Sequence, residues 1–285
     1  MPVAVFDHPF PRTAGTDGWS ARLELGLERR AGRTVLASGR RHGPLCVQRP
    51  FYPEGDVCHC YLLHPPGGVV GGDRLELNAR VDEGAHVLLT TPGATKFYRS
   101  TGAQAVQRQR LRIETGGVLE WFPQENILFP GARVRSNTRL ELTGDARLIG
   151  WEIQVLGRPV IGERFRTGTA DLGLLIERDG RPLLMERLRL VQGDALEGPS
   201  GLRGYPISAA FFVNGAGAED LAAGREGLVP PSDAPFAMTL LDDLLVARCL
   251  ARAVEPVRRT FAALWGLLRP RLLGRPACPP RIWTT

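Results

Sequence analysis

The sequence predicts a mainly β fold of stacked strands with a small helical section towards the C-terminus, and three observations carry that reading. Apolar residues recur with strand-like alternation through the first two thirds of the 285 residues, in runs punctuated by Gly, Pro or Asp. Helical periodicity is absent until late in the chain. A glycine turn followed by an extended apolar run returns three times, at Gly84, Gly116 and Gly144, 32 and then 28 residues apart.

Taken in order, the strand-like runs cover residues 19–29, 34–38, 57–63, 74–81, 86–90, 105–113, 118–122, 138–142 and 147–155. Residues 174–190 continue the pattern as a hairpin about Asp179-Gly180, a pair suited to a turn with positive φ at both central positions. The glycine-turn spacing suits coils of strands, stacked as a solenoid or faced as a sandwich, and similarity between the segments is too low to choose. Residues 218–227 suit a short helix and 238–251 a final strand. Glu255-Pro256 then opens a helix with Val257, Thr260, Phe261, Leu264, Trp265 and Leu268 on one face, stopped by Pro270. Residues 1–18, with Asp7, Pro9, Pro11 and Asp17, read as a flexible segment preceding one domain over 19–285.

Composition narrows the function. At 43% hydrophobic residues, a chain of this length buries about three quarters of its unfolded surface. No secretory leader pattern and no run of 18 uncharged apolar residues is present, so the expectation is a cytoplasmic protein without a membrane partner. The net charge of +6 comes almost wholly from arginine, since only Lys96 among the 36 basic residues is lysine. Those arginines are interleaved with Asp and Glu rather than gathered in a stripe, and no nucleic-acid motif accompanies them. Nucleic acid is therefore not expected as a partner. Arginine does suit bidentate contact with carboxylates at protein interfaces.

The densest local signal is His64-Pro-Pro-Gly-Gly-Val-Val-Gly-Gly-Asp73, where Gly67, Gly68, Gly71 and Gly72 allow backbone paths and close approaches denied to other residues. A phosphate-binding P-loop would end in Gly-Lys-Ser/Thr and open a helix, whereas this segment ends in Asp73 and runs into strand-like residues. A second imitation, Gly215-Ala-Gly217 after an apolar run, has Asp220 where a dinucleotide motif has its third glycine and lacks a parallel βαβ unit. Five cysteines without a leader argue against a disulfide framework. Cys58 and Cys60 share one face of a strand with His59 on the other, and the reading is buried apolar thiols rather than a closed zinc site.

What remains for chemistry is a set of polar residues in apolar surroundings: Asp73, Lys96, Glu120, Gln124, Glu125, Glu152, Glu163 and Glu186. A carboxylate buried beside Trp121 or Trp151 must be paired, protonated or metal-bound. Two of Glu120, Glu125 and Glu152 could act as acid and base in glycoside hydrolysis, or several of the acids could relay a divalent cation. A purely structural docking protein shares every feature except dependence on the acids.

Six segments, occurring in order, resemble one known family. They are the glycine-proline loop, Thr90-Thr-Pro-Gly-Ala-Thr-Lys96-Phe-Tyr-Arg-Ser100, Leu119-Glu-Trp-Phe-Pro-Gln-Glu125, Gly150-Trp-Glu152, Gly157-Arg-Pro-Val-Ile-Gly-Glu163 and Glu186-Arg-Leu. With the closing Leu-Leu-Gly274-Arg-Pro and Pro280-Arg-Ile-Trp, the chain resembles the urease accessory protein D family (UreD, also UreH) from about residue 19 onward. The resemblance implies an irregular β-helix and a non-enzymatic scaffold that docks on apo-urease. Its implied partners are an all-helical urease accessory protein and the urease accessory GTPase, with nickel delivered to urease. No cofactor is implied to be tightly bound, and Ni²⁺ would be cargo passing through an internal tunnel. Asp73 and Glu186 match acidic motif positions and are the first candidates for the route, followed by Glu152 and Glu120, while Gly67, Gly68, Gly71, Gly72 and Lys96 belong to the structural motif. Oxygen ligands hold nickel more loosely than thiolate or imidazole, as a conduit requires.

Overall fold

The computed structural model describes residues 18–191, 194–199, 201–232 and 234–284. The expected flexible segment lies outside them except for Gly18. The chain opens with the hairpin β1 (Ser20–Arg30) and β2 (Arg33–His42), then the short β3 (Cys46–Val47) beside β4 (Cys58–Leu63). It then winds through β5 (Arg74–Val81), β6 (His86–Thr90), β7 (Thr95–Phe97), β8 (Ala105–Ile113), β9 (Val118–Phe122), β10 (Asn126–Leu128), β11 (Arg133–Leu142) and β12 (Arg147–Arg158). After β13 (Glu163–Arg164) come β14 (Thr169–Arg178), β15 (Arg181–Val191), β16 (Ile207–Asn214), α1 (Ala218–Gly227), β17 (Phe236–Leu241), β18 (Leu244–Ala251) and α2 (Val254–Leu273).

Two sheets form. One runs β2-β1-β5-β8-β11-β14-β15 and the other β3-β4-β6-β9-β12-β16-β18-β17. The chain alternates between them, so β5, β8, β11 and β14 are parallel neighbours in the first sheet, and β4, β6, β9 and β12 in the second. Each excursion is one coil, and the coils stack as a β-solenoid. The glycine-turn repeat is one corner of these coils, with Gly84, Gly116 and Gly144 at φ 65°, 69° and 56°. Successive turns are tied together, because Gly116 N donates to Asp145 Oδ1 at 2.7 Å and Gly144 N to Asp179 Oδ1 at 3.0 Å. Solenoid rather than sandwich is thus the outcome of the choice the sequence left open.

The Asp179-Gly180 turn joins antiparallel β14 and β15 with φ 50° and 75°, as its composition predicts. Residues 238–251 need a correction. They are not one strand but part of the antiparallel hairpin β17–β18, because Asp242 takes a left-handed φ of 51° and reverses the chain between two Leu-Leu pairs. Short polar Asp tolerates that conformation. Helix α2 also runs past Pro270 and ends at Gly274, which caps it at φ 66° and donates its N–H to Pro270 O. Proline deprives only the Gly266 carbonyl of a helical partner, and burial of Leu268 and Arg269 holds the last turn in place. The α2 face predicted from spacing packs on the outer face of the second sheet, against Trp151, Phe211 and Leu245. Phe261 and Trp265 are therefore core residues. No described helix is long and apolar enough to cross a membrane.

Candidate functional site

Alternation in the strands decides what lies between the sheets. In β8 the inward positions read Ala105, Gln107, Gln109, Leu111, Ile113, and in β11 they read Val134, Ser136, Thr138, Leu140, Leu142. Register sets Gln107 beside Ser136 and Gln109 beside Thr138, and Thr138 Oγ1 donates to Gln109 Oε1 at 2.8 Å. From the facing sheet, β12 adds Glu152 and Gln154, since Ile149, Trp151 and Ile153 point outward into the core under α2. Glu186 on β15 lies across from Leu174, whose side chain is also inward. A polar layer thus separates the apolar cluster around Leu111, Leu140 and Trp121 from that around Leu75, Val134 and Leu172.

Two cavities meet in this layer. The first, about 230 Å³, is lined by His64, Gln107, Gln109, Gln124 and Glu152, and exposed Gly67, Pro92 and Gly93 stand at its rim. The second, about 620 Å³, is lined by Ser136, Glu152, Gln154, Glu186, Ser208 and Arg248. Glu152 lines both. Burial pushes its carboxyl up to about 7, and the charge of Glu186 reinforces this. Gln107 Oε1 and Gln154 Oε1 are buried acceptors without a partner among the described residues, and such atoms in a polar space call for water or a cation. Glu186 is held by Arg248, whose Nε donates to its Oε1 at 2.5 Å. Among the described residues no three His, Cys, Asp or Glu side chains converge as a metal cluster.

Asp73 lies elsewhere. Its two carboxylate oxygens accept the backbone N–H groups of Trp19 and Val70, each at 2.9 Å, closing the glycine loop on itself. The loop docks on the Lys96 segment: Val69 N donates to Lys96 O at 2.7 Å and Tyr98 N to Val69 O at 2.9 Å. The Lys96 side chain itself is exposed. A Cβ at Gly68 would fall 2.1 Å from the Tyr98 ring, and one at Gly71 would fall 2.2 Å from Ser100 Oγ and 2.7 Å from Ala103 O. The glycines are required by this close approach, so Gly71→Ala is expected to cost about 1–3 kcal/mol in denaturant unfolding.

Glu120 faces the other way, as its pairing with outward Ile149 dictates. It is fully buried under α2, where Arg269 Nη2 lies at 2.8 Å, Trp265 Nε1 donates at 2.7 Å and His86 Nε2 is at 2.8 Å. Arg269 also pairs with Glu54 at 2.7 Å, and Glu54 with His59 at 2.8 Å. Burial pushes the Glu120 carboxyl up, but the hydrogen bonds and charges of His86 and Arg269 outweigh it and hold it below the usual range. Glu54 is lowered to about 2 by His59 and Arg269, against the upward push of burial. A folded-state value below the unfolded one contributes stability above pH 4.5 that is lost between about 4.5 and 2, here about 3 kcal/mol. A Glu54→Gln variant is expected to show a shallower loss of stability in that window when unfolding is followed against pH, the remainder coming from Glu120 and the other paired carboxylates.

Glu120 and Glu152 thus project from opposite faces of one sheet and do not form an acid–base pair. The amides of the false dinucleotide motif are also occupied, Gly217 N by Asp220 Oδ2 and Gly215 N by Asp243 Oδ2. Cys58 and Cys60 point inward with sulfurs 3.5 Å apart in the apolar cluster, and His59 points outward to Glu54.

The model of the UreD urease accessory protein family matches residues 20–284. The chain belongs to the UreD family. A urease accessory protein UreD from Alcanivorax borkumensis is 49% identical over 289 residues, covering 100% of this chain and 98% of its own. Those from Pseudomonas putida W619 and Azoarcus sp. BH72 are each 49% identical, covering 94% and 95% of this chain and 95% and 96% of theirs. Membership places the chain in urease maturation as an accessory protein. For a UreD chain, the residues that sequence reasoning passed over are Gln107, Gln109, Thr138, Gln154 and Arg248. Their signal was available in part: polar side chains in phase with Leu111, Ile113 and Leu140 on strands that otherwise bury every second residue.

Proposed function

We propose that the chain is a non-enzymatic scaffold that carries Ni²⁺ to apo-urease in the cytoplasm, through the polar layer between its two sheets. The observation that carries this reading is Glu152, a half-buried carboxylate common to both cavities and flanked by glutamine and hydroxyl oxygens. Such hard, neutral or singly charged donors bind a hydrated divalent cation weakly enough to release it. Glu152 and Glu186 are the carboxylates of the route, and Asp73 shapes the loop at its rim. Glu120 belongs to the support of the sheet. Docking on apo-urease, on the all-helical accessory protein and on the accessory GTPase follows the family.

The test is reconstitution of nickel-free urease with bicarbonate, Ni²⁺, GTP and the partner proteins, with and without this chain, reading activity and bound nickel. Glu186→Gln is expected to lower the rate of nickel loading while the accessory complex still assembles. Loading that is independent of the chain, or equal for wild type, Glu152→Gln and Glu186→Gln, overturns the reading.

A further inference from the structure

The corner of the solenoid opposite the glycine turns is built from the connections 64–73, 91–104, 129–133 and 157–169, where chain leaves the second sheet for the first. These connections stack on one another. Val69 pairs with Phe97 and Arg99 with Ala132, Ser100 N donates to Gly131 O, and Gly131 N donates to Thr167 O. Tyr98 meets Phe129 edge-on at 5.0 Å, and the Arg158 guanidinium lies 4.8 Å over the Phe129 ring. Three of the motif segments singled out in the sequence therefore form one continuous surface.

That surface carries exposed apolar side chains at its two ends and exposed cations between and beside them. Val160 is 97% exposed and Ile161 61%, at the tip of the last connection, and Trp19, Val70 and Tyr98 are exposed beside the earlier ones. The four connections hold only two carboxylates, Asp73 and Glu163, and both are engaged, the first by backbone amides and the second by Arg158. Lys96, Arg99, Arg133 and Arg166 are exposed there and form no ion pair among the described residues. An isolated exposed valine needs no explanation, but aliphatic and aromatic side chains grouped on an edge of uncompensated positive charge mark an interface.

We infer that this corner docks an acidic protein surface, with Val160 and Ile161 as the apolar anchor and Arg99, Arg133 and Arg166 as the charged rim. A protein fits better than an anionic membrane, because membrane-surface binding draws on lysine-rich amphipathic helices and this edge is rigid loop with one lysine. The surface adjoins the rim of the first cavity at Gly67, Pro92 and Gly93. A partner seated here covers that opening, and this inference rests on the proposed nickel-delivery role for its choice of partners.

The experiment measures binding of the purified full chain to nickel-free urease and to the all-helical accessory protein, separately, over a range of salt. Val160→Glu/Ile161→Glu is expected to weaken one of the two complexes about 30-fold or more. Arg99→Glu/Arg133→Glu is expected to slow association and flatten its salt dependence. The melting temperature of both variants should match wild type, and Val229→Glu, on an exposed residue away from the corner, should bind normally. Wild-type affinity in both corner variants overturns the inference and leaves the proposed function standing. Sedimentation of the wild type with phosphatidylserine vesicles, abolished by the same variants while both protein complexes persist, replaces the protein partner by a membrane. Failure of the wild type to bind either protein overturns the proposed function and this inference together.

Discussion

Replacing Glu120 with alanine is expected to lower the unfolding free energy by about 3 kcal/mol, measured by urea denaturation at pH 7. The carboxylate is wholly enclosed and joins Arg269, Trp265 and His86, so its loss leaves a buried guanidinium short of a partner. Breaking a buried pair from one side costs about 3–5 kcal/mol, and Arg269 retains Glu54, which sets the expected loss at the lower bound. Removing both charges with Glu120→Leu/Arg269→Met is expected to recover part of that loss, because the two desolvation penalties vanish together. A Glu120→Ala variant as stable as wild type would mean that the cluster under α2 contributes nothing net. Nickel loading per folded molecule should be nearly unchanged in this variant, since Glu120 lies on the far side of the sheet from the polar layer.

Glu152→Gln is expected to do the reverse. A carboxyl held at about 7 in the folded chain, against about 4.5 unfolded, binds its proton more tightly when folded, so stability falls as pH rises from about 4.5 to about 7. Glutamine keeps the shape without the charge, and the variant should gain on the order of 2–3 kcal/mol over wild type at pH 8, with the slope between pH 4.5 and 7 reduced. Loading of apo-urease should meanwhile drop by about 10-fold or more, since even an outer-shell partner of a metal ligand is worth that much. A variant that is more stable and less active separates the carboxylate's role from folding. In wild type, loading should rise through pH 7 as the proton leaves Glu152, and that dependence should be absent in Glu152→Gln.

Most of the longer strands were legible because a strand announces itself by alternation, and the coil spacing was legible because the turns at one corner carry a glycine at positive φ, whereas the strand order within the two sheets was not. Gly84, Gly116 and Gly144 carried that spacing. The β17–β18 hairpin was missed because Leu240-Leu241-Asp242-Asp243-Leu244-Leu245 keeps its apolar content across the turn, and nothing local requires Asp242 to become left-handed. Helix α2 outran Pro270 for a tertiary reason, the burial of Leu268 and Arg269. Site residues were less legible than fold. Their acidic character marks Asp73, Glu120, Glu152 and Glu186 alike, whereas their surroundings depend on strand parity and on which sheet face α2 covers. Parity puts Glu120 and Glu152 on opposite faces, and loop geometry binds Asp73 to amides. The glutamines of the polar layer gain meaning only when a second sheet is placed over them.

The partners of the cluster under α2 are far apart in the chain: Glu120 and Arg269 are separated by 149 residues, Glu54 and Arg269 by 215. During synthesis the coils emerge first and can stack on their nearest neighbours as they appear, yet the second sheet keeps a bare apolar face carrying Glu120 and His86 until α2 arrives. A nascent chain halted before residue 254 is therefore an assembled scaffold with an uncovered side, a form prone to self-association and open to holding chaperones. Translation of α2, from residue 254 to 273, is what covers that face.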